Sequence, residues 1–182
     1  MRIKFHFENA RGRRQSGMSL LETMVALTIL IITTVGILTM NMVASGTTEN
    51  QGHLSARVAE YAQDKLEQLI SLAWSDSATD TTILPVGTSG TGLTVGGSSN
   101  PSSPSTGYVD YLDNSGNLLT FTGGTPPSNW YYVRVWQISI PDATNYPNIK
   151  MITVTAKVKA QVGAPQGALP QATVTTLKSS PF

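Results

Sequence analysis

Cysteine is absent from the 182 residues, and histidine occurs only twice, at His6 and His53. The first absence excludes disulfide bonds, thiolate metal sites and cysteine nucleophiles, although the chain can still enter an oxidising compartment. The sequence also lacks a Gly-x-Ser-x-Gly elbow, a phosphate loop and a His-Glu-x-x-His motif. We therefore expect no enzyme activity and no cofactor, and we interpret His53 as a surface residue.

Charged residues are also scarce, at 13% of the chain, and they are unevenly distributed. Residues 1–17 contain five Lys or Arg and one acid, a net charge of +4, whereas the other 165 residues contain seven against ten, a net charge of −3. A basic block directly before an apolar run is typical of a targeting segment, and its cations stay on the cytoplasmic side of the membrane. No nucleic-acid partner is therefore expected.

Residues 23–48 contain no charged side chain and are mostly apolar. The stretch exceeds the roughly 20 residues that a helix needs to cross a bilayer. Hydroxyl groups within such a helix can donate to carbonyl groups one turn back, so polar side chains in the stretch do not exclude a helix in lipid. This applies to Thr28, Thr33, Thr34 and Thr39. The sequence predicts a membrane-spanning helix, with the residues after about Ser45 outside the cytoplasm.

Glu22 stands at the edge of this span, where a carboxylate deep in lipid would cost on the order of 2.5–3.5 kcal/mol. One interpretation places the carboxylate at the headgroup level, near the positive N-terminus of the helix. The other gives it a partner inside a protein assembly.

The run Arg14–Leu27, with the letters RQSGMSLLETMVAL, resembles the class III signal sequence of type IV pilins and type II secretion pseudopilins. The resemblance implies that a prepilin peptidase cleaves after Gly17, that the new N-terminal residue Met18 is N-methylated, and that Glu22 becomes the fifth residue of the mature chain. In an assembly, Glu22 would pair with the N-terminal amine of a neighbouring subunit and set its register, because a misaligned subunit leaves a buried charge unpaired.

The run is more similar to minor members of this family, the V-type minor pilin and the I-type minor pseudopilin, than to the major subunits. The resemblance therefore implies a minor type IV pilin-like structural subunit that enters a pilus through its N-terminal helix. One alternative is a type II secretion minor pseudopilin, and another, of a different class, is a signal-anchored extracytoplasmic binding domain that does not polymerise.

The same resemblance implies partners and a location. The partners would be other pilin or pseudopilin subunits, the prepilin peptidase, an inner-membrane assembly platform and, before assembly, membrane lipid. The chain would be a single-pass protein of the bacterial inner membrane with its N-terminus in the cytoplasm, and would later enter a pilus or a periplasmic pseudopilus.

The rest of the chain changes its pattern twice. Apolar residues recur every three or four positions at Leu54, Val58, Tyr61, Ala62, Leu66, Leu69 and Ile70, which predicts an amphipathic helix. Between them, Glu60, Asp64 and Glu67 form an acidic face that is either solvated or in contact with a partner subunit. A region rich in Ser, Thr and Gly follows and predicts a long, poorly packed connection.

Alternating residues then predict strands at 130–140, 149–159 and 172–177, with an additional one at 118–121. In the second of these, Ile152, Val154, Ala156 and Val158 should point inward, with Lys150, Thr153, Thr155, Lys157 and Lys159 toward water. Trp74, Trp130 and Trp136 are expected in the core between helix and sheet rather than on a binding platform.

These patterns predict an α+β fold, in which a long N-terminal helix packs on a small antiparallel sheet. The expected divisions are a cleaved leader at 1–17, a transmembrane and assembly helix at 18–45, an amphipathic helix of the head at 46–74, the connecting region at 75–128 and the sheet at 129–182. Asp110, Asp113 and Asn114 offer oxygen ligands of the kind calcium prefers, but their spacing differs from that of an EF-hand loop. A hairpin turn at 113–116 is the simpler interpretation.

Overall fold

A computed structural model describes residues 19–120, 125–159 and 169–181, although the side chains of residues 46–50 are not described. The chain divides into two compact units, Met1–Thr47 and Thr48–Phe182. One helix and six strands follow in order along the described chain: α1 (Leu20–Ser71), β1 (Gly96–Gly97), β2 (Val109–Leu112), β3 (Leu118–Leu119), β4 (Tyr132–Ser139), β5 (Ile149–Val158) and β6 (Gln171–Ser179).

The second unit is built on a sheet in the order β3-β2-β4-β5-β6, and every neighbouring pair is antiparallel. β1 pairs with Gln137 and Ile138 near the end of β4, beyond the residues of β4 that pair with β2. The predicted strands at 130–140, 149–159 and 172–177 are confirmed as β4, β5 and β6. β3 provides the additional strand, and Phe121 lies outside the described residues.

The C-terminal part of α1 packs on one face of this sheet. Its inward side chains are completely buried and meet inward side chains of β4 and β5, because one side of each element is apolar. The predicted α+β architecture is therefore confirmed. The buried cluster includes Val58, Ala62 and Leu69 from α1, Tyr132, Trp136 and Ile138 from β4, and Ile152, Val154, Ala156 and Val158 from β5.

The opposite face of the sheet carries a second, smaller apolar cluster. Val133 and Val135 of β4 are buried there together with Val109 and Tyr111 of β2. Trp130 packs at its margin, where its ring lies 5.5 Å from that of Tyr111. β4 is thus covered on both faces, which explains why its sequence offers no purely polar side.

One inward residue of β5 was predicted wrongly. Lys150 was expected to face water, yet it is 7% exposed and its ammonium donates to the carbonyl oxygens of Trp74 (2.7 Å) and Leu93 (2.8 Å). Successive side chains of a strand alternate between faces, so residue 150 shares the inward face of Ile152. The four inward apolar residues of β5 are as predicted. The prediction that Thr155 faces water is also wrong, because this residue is buried at 1% exposure.

The connecting region also differs from the expectation of a poorly packed segment. The part expected to pack poorly, residues 75–107, supplies β1 and buries Thr81 and Leu93. Its polar residues fold it locally, because carboxylates bind nearby backbone and hydroxyl groups. The carboxylate of Asp76 accepts bonds from the amide (2.9 Å) and hydroxyl (2.6 Å) of Thr79.

Candidate functional site: an apolar helix and a buried charge cluster

The first part of α1 begins with a side-chain cap. The hydroxyl of Ser19 accepts a hydrogen bond from the amide of Glu22 (3.2 Å), which satisfies one of the free amides of the first turn. The carboxylate of Glu22 is exposed, and no cation of the described residues lies within salt-bridge distance of it. Gly17 and Met18, the residues of the predicted cleavage, lie outside the described residues.

The segment Leu20–Ser45 is long and apolar enough to cross a membrane. All of its large apolar side chains are more than half exposed, from 52% at Val25 to 80% at Leu20. A continuous apolar surface of this length is stable only when lipid or other apolar helices cover it.

Every threonine in this segment donates its hydroxyl to a carbonyl oxygen three or four residues back, as predicted for the four in the middle of the helix. These five hydroxyls are therefore satisfied within the helix. The shortest donor and acceptor pairs are Thr23 to Leu20 (2.8 Å), Thr28 to Met24 (2.6 Å), Thr33 to Ile29 (2.9 Å), Thr34 to Leu30 (2.6 Å) and Thr39 to Gly36 (2.9 Å).

The second unit holds a cluster of charged side chains between α1 and the sheet. Lys65 of α1 and Asp110 of β2 are both completely buried, with 2.9 Å between ammonium nitrogen and carboxylate oxygen. Arg134 of β4 binds both oxygens of Asp110, at 2.7 and 3.0 Å, and reaches the 71% exposed carboxylate of Asp64 at 2.8 Å. The buried carboxylate of Asp110 thus binds two cations, Lys65 and Arg134. Arg134 also connects the buried pair of Lys65 and Asp110 to Asp64 at the surface.

The ammonium of Lys65 has further partners. It donates to the carbonyl oxygen (2.7 Å) and the hydroxyl (3.0 Å) of Thr81 and to the side-chain oxygen of Gln68 (3.1 Å). It also lies 4.1 Å from the centre of the Trp136 ring, a cation–π distance. Lys65 therefore connects α1, the connecting region, β2 and β4 at a single point.

The electrostatics of the cluster follow from burial and pairing. Burial raises the pKa of Asp110, but Lys65 and Arg134 outweigh this and hold the pKa below its ordinary value. Burial lowers the pKa of Lys65, and the attraction of Asp110 offsets only part of that effect. For Arg134, burial lowers the pKa while Asp110 and Asp64 raise it to a net value above the ordinary one.

The sequence contains a signal for this cluster, a lysine within the apolar stripe of α1, that a pattern of apolar residues alone does not include. Completely buried positions of α1 recur at 58, 62, 65 and 69, so Lys65 occupies a core position of the stripe. Leu54, Tyr61 and Leu66 only flank the core, and Ile70 is 40% exposed. Glu60 and Glu67 are exposed, whereas Asp64 of the same acidic face pairs with Arg134.

Of the three residues with oxygen ligands suited to calcium, Asp113 and Asn114 share the β2–β3 turn, and Asp110 is bound in the charge cluster instead. Asp110 is engaged by Lys65 and Arg134, whereas Asp113 accepts bonds from the amides of Ser115 (2.8 Å) and Asn117 (2.9 Å) inside the β2–β3 turn. Asn114 uses its carbonyl oxygen to accept a bond from Arg57 (3.3 Å), in the same turn. Within the described ranges, no group of three or more acidic or histidine side chains is arranged to hold a metal ion.

The remaining candidates lie on the surface or in the core. His53 is exposed on α1. Trp136 is 1% exposed in the core between α1 and the sheet, as predicted. The prediction is wrong for Trp130, which is half-buried against the cluster on the opposite face of the sheet, and for Trp74, which is half-buried outside both clusters, beside Lys150.

Residues 12–38 match the family described as the prokaryotic N-terminal methylation motif. The match covers the end of the basic N-terminal segment, Gly17, Met18, Glu22 and most of the apolar segment, and it supports a type IV pilin-like family. It also supports a pilin or pseudopilin-like precursor, and suggests a structural subunit rather than an enzyme. No curated protein and no solved structure shows significant similarity to the chain.

Proposed function

We propose that this chain is a minor structural subunit of a type IV pilus, made as a precursor and incorporated through its N-terminal helix. One observation carries the proposal: the methylation motif at residues 12–38 coincides with an exposed apolar helix that has a single carboxylate, Glu22, in its first turn. A helix of this kind is suited to wait in lipid and then to pack among similar helices.

In the proposed processing, the prepilin peptidase removes residues 1–17 and methylates the amine of Met18. Residues 18–45 form the assembly helix, and the second unit is displayed outside the cytoplasm. Glu22 would bind the N-terminal amine of a neighbouring subunit, because a carboxylate among apolar helices is costly unless it is paired.

The first test is mass spectrometry of the mature N-terminus, with the chain isolated from native membranes. The proposal predicts a chain that begins at Met18 with one added methyl group, formed only when the prepilin peptidase is present. A Gly17→Val variant should keep its leader, whereas Gly12→Val, a matched change inside the leader, should be processed normally. An intact leader in the unaltered chain would return the protein to the class of signal-anchored binding domains.

A type II secretion minor pseudopilin is the second candidate, and the same motif supports it. The two differ in where the mature chain is found. The pilus proposal predicts the chain in fibres sheared from the cell surface and purified away from membranes. Its presence only in the cell envelope, together with loss of protein secretion on deletion of its gene, would favour the pseudopilin.

A further inference from the structure

The buried stripe of α1 contains few features that would stop the helix from sliding along its axis. Two other polar contacts, of Lys178 with Ile70 and Leu72 and of Arg57 with Asn114, lie outside this stripe. Three of the four completely buried positions of the α1 stripe are aliphatic: Val58, Ala62 and Leu69. Aliphatic contacts are not directional, so they favour burial of this face more than one particular axial position. The fourth position, Lys65, is the exception.

We propose that Lys65, Asp110 and Arg134 are positioning residues that fix the register of α1 on the sheet. A shift of α1 by one turn would bring Ala62 or Leu69 to the place of Lys65. The ammonium would then leave Asp110 while still buried, and a buried charge without its partner is strongly unfavourable. The native register is the one in which the buried ammonium is fully bound.

The arrangement of partners around the Lys65 ammonium selects one register of α1. Its oxygen partners on Asp110 and Thr81 lie within 2.7–3.0 Å and belong to different elements. Asp110 is in turn held from the other side by two nitrogens of Arg134, in a bidentate arrangement that fixes its orientation. A displacement of one turn, about 5.4 Å, breaks all of these contacts at once.

The inference about the head itself does not require assembly. The test therefore measures the register within the second unit of the full chain and is separate from leader processing.

The absence of cysteine allows two spin labels to be placed without further changes. Gln63→Cys on α1 and Gln137→Cys on β4 replace exposed residues, and the distance between the labels is measured by double electron–electron resonance on the full chain in detergent micelles. The unaltered cluster should give one narrow distance distribution. Lys65→Met keeps the pair between Asp110 and Arg134 but removes the ammonium, and should broaden the distribution or add a second maximum displaced by about one helical turn.

Two further variants separate positioning from general loss of structure. Lys65→Arg keeps a buried cation and should retain the narrow distribution. Lys150→Met removes another inward ammonium of the sheet, one that binds Trp74 and Leu93 instead of α1, and should also leave the distribution narrow.

The triple variant Lys65→Met, Asp110→Leu and Arg134→Met replaces the cluster by apolar residues, a change that often preserves stability. It should fold with an unfolding midpoint close to that of the unaltered chain and yet show the broadened distribution. A narrow, unshifted distribution in both Lys65→Met and the triple variant would overturn the inference. Broadening in Lys150→Met of the same extent as in Lys65→Met would overturn it as well.

Discussion

Asp110 is the residue on which the charge cluster depends, since it is completely buried and binds both Lys65 and Arg134. Replacing it by Asn leaves two buried cations with no carboxylate between them. Because removal of one partner from a buried ion pair is strongly destabilising, Asp110→Asn should lower the free energy of unfolding by about 3–5 kcal/mol. Chemical denaturation followed by tryptophan fluorescence measures this loss.

The matched control is Asp64→Asn, which removes the other carboxylate bound by Arg134. The side chain of Asp64 is 71% exposed, so its loss should cost less than about 1 kcal/mol. Equal losses for the two variants would contradict the assignment of Asp110 as the centre of the cluster.

The carboxylate of Asp110 also makes the stability of the second unit depend on pH. The pKa of Asp110 lies below its ordinary value, despite the opposing effect of burial, because Lys65 and Arg134 favour the ionised form. A carboxyl with a depressed pKa stabilises the fold at pH values above its unfolded pKa of about 3.9, and this contribution is lost as the pH falls below that value. Asp113 acts in the same direction, since hydrogen bonds from Asn117 and the turn amides lower its pKa.

The unfolding midpoint should therefore change little between pH 7 and pH 5 and fall steeply below about pH 4. Thermal unfolding measured by circular dichroism at each pH tests this expectation. Asp110→Asn should show a shallower acid slope than the unaltered chain. An identical slope in the two proteins would place the acid sensitivity elsewhere.

Among the secondary-structure elements, α1 ends in an unusual way. No basic residue lies in its last turn, and Lys178 of β6 instead donates to the carbonyl oxygens of Ile70 and Leu72. A cation at this end satisfies free carbonyl groups and interacts favourably with the helix dipole. The sheet thus supplies the cap that the sequence of the helix lacks.

Lys178→Gln should fray the end of α1 and cost about 0.5–2 kcal/mol of stability. Hydrogen exchange of the amides from Leu69 to Leu72 should accelerate, while exchange in the middle of β4 should change only by the global loss of stability. Lys157→Gln, a half-exposed lysine of β5, is the control and should leave these amides unchanged. Similar acceleration in both variants would contradict the capping role.

The β2–β3 turn depends on a glycine that approaches α1 closely. Gly116 has a φ of +89°, and a Cβ at this position would lie 2.4 Å from the hydroxyl oxygen of Tyr61. Gly116→Ala should therefore destabilise the protein by about 1–2 kcal/mol, through backbone strain and displacement of Tyr61.

Gly52→Ala is the matched substitution on α1, where an added Cβ meets nothing within 4 Å. It should stabilise the helix by up to about 1 kcal/mol, because alanine is the better helix former. Urea denaturation of both variants measures the sign of each change in the free energy of unfolding. Loss of stability at both positions would show that the strain at Gly116 is not the cause.

For the molecule as a whole, Glu22 should matter after processing and not during it. Glu22→Ala is expected to be cleaved and methylated but to be nearly absent from assembled fibres, because the neighbour's amine loses its partner. Immunodetection in membranes and in sheared fibres measures the two stages. Thr23→Ala, the adjacent exposed change, should assemble normally, and equal assembly of both variants would exclude a register role for Glu22.

Sequence periodicity was sufficient to predict the α+β architecture and four of the strands, β3 to β6, and the chemistry of threonine was sufficient to predict the internal bonding of the apolar segment. It could not predict Lys65, Asp110 and Arg134 as one group, because they come from three elements that only the folded sheet brings together. The prediction for Lys150 is wrong because a charged side chain need not be exposed: a long side chain can be buried when its ammonium reaches carbonyl oxygens. The Ser/Thr-rich region was underestimated because its order comes from local side-chain bonds, which leave no periodic signal.

The five threonines in the apolar part of α1 carry their hydrogen-bond acceptors with them. Each of these hydroxyls binds a carbonyl oxygen of the same helix, so none of the five needs a new partner in hydrocarbon or in a packed bundle. The free-energy difference between two such surroundings then comes from van der Waals packing and from the other polar side chains of the segment, chiefly Glu22 and Asn41. The threonines themselves add no polar cost to a change from one to the other.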